Sequence, residues 1–450
     1  MKTDKIAILR DTKVSTALYK LGIPTMIGML VSALYNLADA YFIGKLGTAQ
    51  VGAIAVAFPI NQIVVGVGMT FGTGAASYIS RLLGENNYHK ANQTASTAIL
   101  NLLIFQTVLI VVSIAFIEPV LHLLGASDTI MPYAKTYSII YISGTLFSVF
   151  YVAMNNIVIA EGAAKLTMTA MMIGAGINII LDPIFIYVFD WGIAGAAWAT
   201  VLSQVVTSIL YIVYIKQKKG HLRISLKYAS FDKQILSEIL KVGIPIFLFQ
   251  LLFGISQGMT NTAAREFGDH AIAAVGIVIR VLAIGTFVVF GFVKGFQPLA
   301  GYAYGAKNFE RLKESIITSL KWTTIFCIVF ASLMILFPHN VMSWFSNDPL
   351  VIEIGHKMLF ANGFIFVFFG FQIVYSTLFL ALGKGKEGGI LSIARNGIFF
   401  IPVILILPHL WGLNGVIYSQ VVADILTVLL ISIFVVKLNS KHPMKYRFSE

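Results

Sequence analysis

Apolar residues run along this chain in long, nearly unbroken stretches, each closed by a short cluster of charged or turn-forming residues. Crossing a hydrocarbon core of about 30 Å takes roughly 20 helical residues. Twelve stretches reach that length, near 15–43, 52–80, 94–117, 131–159, 166–188, 193–215, 239–264, 272–303, 315–337, 352–381, 389–410 and 413–436. The breaks around Asp190-Trp191-Gly192 and Trp411-Gly412 are short enough to predict tight helical hairpins. The pattern predicts an all-α polytopic membrane protein, and a composition of 58% hydrophobic against 12% charged residues agrees.

The charged N-terminus leads into an apolar run too long for a signal sequence, so it is expected to remain as the first span. Net charge is +12, which in a soluble chain would raise nucleic acid as a partner. Its distribution removes that reading. With the N-terminus placed inside, only Lys45, Lys135, Arg265 and Lys357 fall in outer connections; the basic excess follows the positive-inside rule. Both termini are expected in the cytoplasm, in a plasma (cytoplasmic) membrane, with lipids as neighbours and no nucleic acid. The single cysteine, Cys327, excludes an internal disulfide.

The chain repeats itself at an offset of 221 residues. Lys20-Leu-Gly-Ile-Pro24 matches Lys241-Val-Gly-Ile-Pro245, Gly47 matches Gly268, Gly74 matches Gly295, and Gly84-Glu-Asn-Asn87-Tyr88 matches Gly305-Ala-Lys-Asn308-Phe309. After a one-residue gap, Trp191-Gly-Ile-Ala-Gly195 matches Trp411-Gly-Leu-Asn-Gly415. Six spans per copy is an even number, so both copies enter from the same side and are related by an axis along the membrane normal. The expected division is an N-lobe over 1–215, a basic cytoplasmic linker over 216–238, and a C-lobe with a cytoplasmic tail over 239–450.

Ionisable side chains at membrane depth are expensive and therefore candidate functional groups. The first half offers Asp39 in span 1 and Asp182 in span 5. Counted inward from the outer ends they lie about four and about six residues deep, roughly 6 and 9 Å at the helical rise. Tyr137 and Thr200 fall near that depth on spans 4 and 6, and Asn178 lies one turn below Asp182 on the same helix face. Two carboxylates in a low dielectric cannot both remain charged without a counter-cation, so the cluster reads as a proton or Na+ site at Asp39, Asp182, Asn178 and Thr200. In the repeat, Asp39 aligns with Thr260 and Asp182-Pro183 with Ile401-Pro402; a cap required by the fold would have appeared in both halves.

The second half carries Arg280, Lys294, Arg395 and Asp424 instead. By depth, Arg280 and Asp424 are expected to pair structurally across spans 8 and 12, a gate or an anion site being the alternative, with Arg395 reaching toward the inner surface. Pro24, Pro59, Pro183, Pro245, Pro298 and Pro402 fall inside spans, and the repeat-equivalent Pro24 and Pro245 are the candidate hinges. Gly68-x-x-x-Gly72 and Gly291-x-x-x-Gly295 allow close helix packing. Gly254-Ile-Ser256-Gln-Gly258 matches G-x-S-x-G, but inside an apolar span without a strand-to-helix turn, so it is not read as a nucleophile. No Walker sequence, H-E-x-x-H or Cys/His cluster is present, and no enzymatic activity is expected.

Taken together, the twelve spans, the parallel repeats, the Gly-Ile-Pro starts of spans 1 and 7, the Gly-x-x-Asn-aromatic loops and Asn178-Ile-Ile-Leu-Asp182-Pro183 resemble the multidrug and toxic compound extrusion (MATE) transporters, in particular their bacterial DinF-like and MepA-like branch. The resemblance implies a V-shaped pair of lobes and export of small organic compounds, mostly lipophilic cations, by antiport with H+ or Na+, with no other cofactor. The transporter is expected to be a monomer. The resemblance assigns Asp39, Tyr137, Asn178, Asp182 and Thr200 to cation or proton coupling, and Tyr35, Asn155 and Met171 to the substrate lining. The sodium-coupled NorM-like branch uses acidic residues in spans 7 and 10; this chain has none there at membrane depth. A lipid-linked oligosaccharide flippase of the same superfamily is the alternative, but its anionic substrates call for several Arg or Lys in the cleft, and the N-half has none at membrane depth.

Overall fold

The computed structural model describes residues 5–441, with side chains through Lys437; the proposed C-terminal tail from 442 lies outside the described residues. Every regular element among them is helical. Eleven helices are long and apolar enough to cross a membrane, and a twelfth span is built from Pro349–Phe366 and Phe369–Ala381, which meet at a 50° bend. The spans are 1, Val14–Gly44; 2, Thr48–Gly84; 3, Tyr88–Ala115; 4, Met131–Ala160; 5, Ala164–Val188; 6, Gly192–Lys216; 7, Lys233–Arg265; 8, Asp269–Gly305; 9, Phe309–Leu336; 10, the bent pair; 11, Gly385–Trp411; and 12, Leu413–Lys441. A short helix, Lys5–Arg10, precedes span 1.

The duplication extends to the backbone. Left-handed residues recur at the repeat offset, Gly47 with Gly268, Asn86 with Lys307, Gly162 with Gly383, and Gly192 with Gly412. The loop motif after spans 2 and 8 is thereby explained: the residue before the Asn turns the chain left-handed, and Asn87 and Asn308 then cap spans 3 and 9 by accepting from Lys90 N (3.1 Å) and Arg311 N (3.0 Å). The helices run on through Pro24, Pro59, Pro245 and Pro298, while Pro183 is followed by a π turn, Ile184–Val188. The four spans thus stay helical across these prolines, which membrane helices tolerate.

Spans 2 and 8, each of 37 residues, cross where the two halves meet. A Cβ at Gly84 would overlap the carbonyl of Tyr302, and a Cβ at Gly305 would overlap that of Arg81. Since 81 pairs with 302 and 84 with 305 in the repeat, this crossing is self-complementary, as at a two-fold interface. Gly295 of span 8 packs on the backbone of Gly22 in span 1, and Gly243 of span 7 packs on Thr70 in span 2. Around these contacts Thr25 Oγ1 donates to Gly291 O (2.6 Å), Ser77 Oγ to Leu380 O (2.6 Å), and Arg81 Nη2 to Glu238 Oε2 (2.8 Å). The halves are thus sealed together at the basic ends of their spans. Both small-residue motifs pack as expected: Gly68 and Gly72 meet Val152 and Ala153 of span 4, and Gly291 and Gly295 meet Met26 and Gly22.

Residues 217–232, within the expected linker over 216–238, are hydrogen-bonded to the first half. Asn92 Oδ1 accepts from Arg223 N (2.8 Å), and Thr97 Oγ1 accepts from Ser230 N (3.0 Å).

Candidate functional site

Spans 5 and 6 present the centre of the polar cluster. Asn178 Nδ2 lies 3.4 Å from Asp182 Oδ1 and 3.5 Å from Thr200 Oγ1, so one amide links the two helices. The i, i+4 spacing of Asn178 and Asp182 brings them onto one helix face, turned inward: they are 1% and 0% exposed, and Thr200 is 9% exposed. Asp39 approaches from span 1, close enough for its charge to act on Asp182 and on Tyr137. Tyr137 stacks on Tyr141 at 6.0 Å, and Tyr141 donates to Asn61 Oδ1 at 3.0 Å. The five residues expected to form the network are brought together by spans 1, 4, 5 and 6.

Three acceptor atoms in this cluster are buried without a donor: Asp39 Oδ1, Asp182 Oδ2 and Asn178 Oδ1. An acceptor withdrawn from water and left unpaired is costly. Three in one place, two of them on carboxylates, form a set suited to a proton or a small cation. The site presents acceptors and no basic side chain.

The residues expected to line the substrate path are more dispersed. Tyr35 lies within electrostatic reach of Asp39, Tyr137, Tyr141 and Tyr151. Met171 fills the seam between spans 1 and 5, with Sδ 2.8 Å from where a Cβ of Gly28 would stand. Asn155 is 4% exposed, with Oδ1 unpaired.

The second half differs in chemistry. Thr260, aligned with Asp39, donates to Ser256 O of its own helix at 2.8 Å. Phenylalanine rings from spans 7, 8 and 10 touch in series, Phe249 with Phe290 at 5.9 Å, Phe290 with Phe369 at 5.9 Å and Phe369 with Phe366 at 5.1 Å. The expected pairing of Arg280 with Asp424 is not formed. Asp424 is clasped by Arg395 instead, Nε to Oδ1 at 2.7 Å and Nη2 to Oδ2 at 3.2 Å, while Arg280 stands on the exposed face of span 8. Gln420 Nε2 adds a bond to Asp424 Oδ1 at 2.9 Å, and the guanidinium lies over the Phe369 ring at 4.8 Å.

Sequence reading overlooked Glu161, which follows span 4 in an unremarkable loop. It is 1% exposed and accepts from Tyr214 OH (2.6 Å), His221 N (2.8 Å) and Leu222 N (3.1 Å). Lys5 donates to the same tyrosine oxygen at 2.7 Å, and burial lowers its pKa against the opposing pull of Glu161. The only sequence signal was a lone acidic residue among small ones.

Twelve spans in two parallel halves, with a buried carboxylate cluster in one, define a membrane transporter of duplicated design. The MatE family profile matches residues 24–184 and 245–406, one segment in each half, and the chain belongs to that family. It is 31% identical over 427 residues to the multidrug export protein MepA of Staphylococcus saprophyticus, covering 94% of each chain. To the protein of the same name from Staphylococcus haemolyticus it is 29% identical, covering 98% of this chain and 97% of the other. A solved structure described as the outward-facing conformation of a multidrug resistance MATE family transporter superposes with a TM-score of 0.92 at 28% identity, covering 97% and 98% of the two chains.

Proposed function

We propose that the protein exports small organic compounds across the bacterial cytoplasmic membrane, with both termini inside, by exchanging them for protons bound at Asp39 and Asp182. The observation that carries this reading is the trio of unpaired buried acceptors, Asp39 Oδ1, Asp182 Oδ2 and Asn178 Oδ1. A proton gives a carboxyl oxygen the donor function it lacks. Sodium is the alternative occupant, held by the same oxygens with Thr200. The names of the relatives support a range of organic substrates. The carboxylates of the first half, which no basic side chain at membrane depth balances, support lipophilic cations among them, with the phenylalanine series of the second half as their apolar counterpart. Tyr35, Asn155 and Met171 are assigned to the substrate path, Pro24 and Pro245 to the hinges. The exporter works as a monomer, because each chain already supplies both halves.

Purified protein in proteoliposomes, loaded with a fluorescent organic cation, tests the reading under proton and sodium gradients imposed separately. Movement of the dye driven by the proton gradient alone is expected. Movement driven by sodium alone moves the assignment to the alternative ion, and movement under neither removes the coupling role.

A further inference from the structure

Spans 7 and 11 leave a groove of ≈ 480 Å³ between them, lined by Ile244, Pro245 and Leu248 on one side and Gly385, Gly389 and Ile393 on the other. Residues 385, 389 and 393 share one face of span 11 at i, i+4 and i+8, and the glycines let span 7 pack closely against that face: a Cβ on Gly385 would overlap Lys241 O. The backbones come close there: a Cβ on Gly389 would stand 2.8 Å from Pro245 Cγ. In the first half the equivalent of Gly389 is Met168, and Met171 beside it fills the seam against Gly28. The groove lies beside these close contacts, along the exposed side chains of Ile244 and Leu248.

At its basic end the groove is bounded by Lys241 and Lys386. Lys241 leans across the start of span 11, with Cγ 2.5 Å from where a Cβ of Gly385 would stand. Its ammonium is 3.4 Å from Glu238 Oε1, a carboxylate already bonded by Arg81 at 2.8 Å. Lys386 is exposed. The counterparts of the two lysines at the repeat offset are Lys20 and Lys165, also exposed, so the pair of charges recurs in both copies.

We propose that this groove holds an anionic phospholipid of the inner leaflet, its acyl chain along Leu248, Gly389 and Ile393 and its phosphate between Lys241 and Lys386. The apolar length lies at the depth of the acyl chains, and the two cations lie where headgroups begin. An anionic headgroup is attracted to both cations, and it shares Lys241 with Glu238. Such a lipid bridges spans 7 and 11 directly over Pro245 and braces the second half at that point.

The test uses the full-length protein in detergent, titrated with phosphatidylglycerol, with phosphatidylcholine of the same chains, and with inorganic phosphate, reading bound lipid by native mass spectrometry and thermal stability in parallel. Phosphatidylglycerol is expected to be retained and to raise Tm, with weaker effects from phosphatidylcholine and none from phosphate. K241Q/K386Q is expected to weaken apparent affinity for phosphatidylglycerol by roughly 30-fold. K386Q, which leaves the Lys241–Glu238 contact in place, is expected to lose part of it and serves if the double variant does not fold. Leu248→Trp fills the groove without changing charge and is expected to displace the lipid. Equal retention of both lipids, an effect of phosphate alone, or binding unchanged in Leu248→Trp would overturn the proposal.

Discussion

Arg395 and Asp424 form a two-pronged ion pair at membrane depth in the second half, the contact of 2.7 Å leaving the carboxylate only 4% exposed. The pair neutralises the buried acid that would otherwise make this half a counterpart of the carboxylate cluster in the first. Gln420, which braces Asp424, occupies the repeat position of Thr200, and Asp424 that of Gln204. The same corridor between the last two spans of each half therefore holds unpaired acceptors in one copy and a closed ion pair in the other.

Removing one partner of this pair strands a buried charge, a loss of about 3–5 kcal/mol. Arg395→Met is accordingly expected to fold poorly, and Arg395→Met/Asp424→Leu to recover most of the loss. Thermal unfolding of the purified variants reads the difference; equal stability of the single and double variants would contradict the pairing.

Asp39→Asn keeps volume and removes the ionisable group. Efflux from cells is expected to fall to background while membrane insertion, followed by the yield of folded protein, stays near wild type. Asp182→Asn should behave alike, and wild-type efflux in either variant would take that carboxylate out of the coupling step.

Binding of a cationic compound is expected to weaken as pH falls. The deprotonated pair attracts the cation, a proton on either carboxyl removes part of that attraction, and by linkage each ligand opposes the other. Affinity measured from roughly pH 8 to roughly pH 5.5 should decline in the wild type and flatten in Asp39→Asn. A slope shared by both proteins would place the titrating group elsewhere.

The seal between the halves depends on absent side chains. Gly305→Leu places a branched group where the Arg81 carbonyl already stands, so the basic ends should no longer close. A cysteine introduced at Ala76, which lines the small interface cavity with Lys294 and Gln297, is expected to gain reactivity from the inner side in this variant. Protection equal to that in the parent would show that the crossing tolerates bulk. Thr25→Val, by contrast, removes one bond across the seam, worth about 1 kcal/mol, and should only shift the balance toward opening.

The spans, their duplication and the five-residue cluster were legible because each rests on position along a helix: length sets crossing, and depth places Asp39, Asn178, Asp182 and Thr200 near one another. The partner of Asp424 was misread for a complementary reason. Depth along the spans favoured Arg280 and sent Arg395 toward the inner surface, but the pairing depends on rotation about the helix axis and on the reach of the side chain. A π turn at Ala394–Ile398 re-aims that stretch of span 11, and no periodicity in an all-apolar span reports it. The 50° bend in span 10 and the capture of the linker by Asn92 and Thr97 were hidden likewise, since neither leaves a pattern in hydropathy.

The crossing of spans 2 and 8 also bears on descent. A surface in which residue 84 meets 302 while 305 meets 81 is what two identical six-helix ancestors would have formed as a homodimer before their genes fused. Because the copies insert in the same direction, that ancestor had one fixed orientation, and the fusion needed no additional helix to bring its second copy in correctly. Fusion then released each copy from its twin's sequence, so that one could gather acids while the other discarded them.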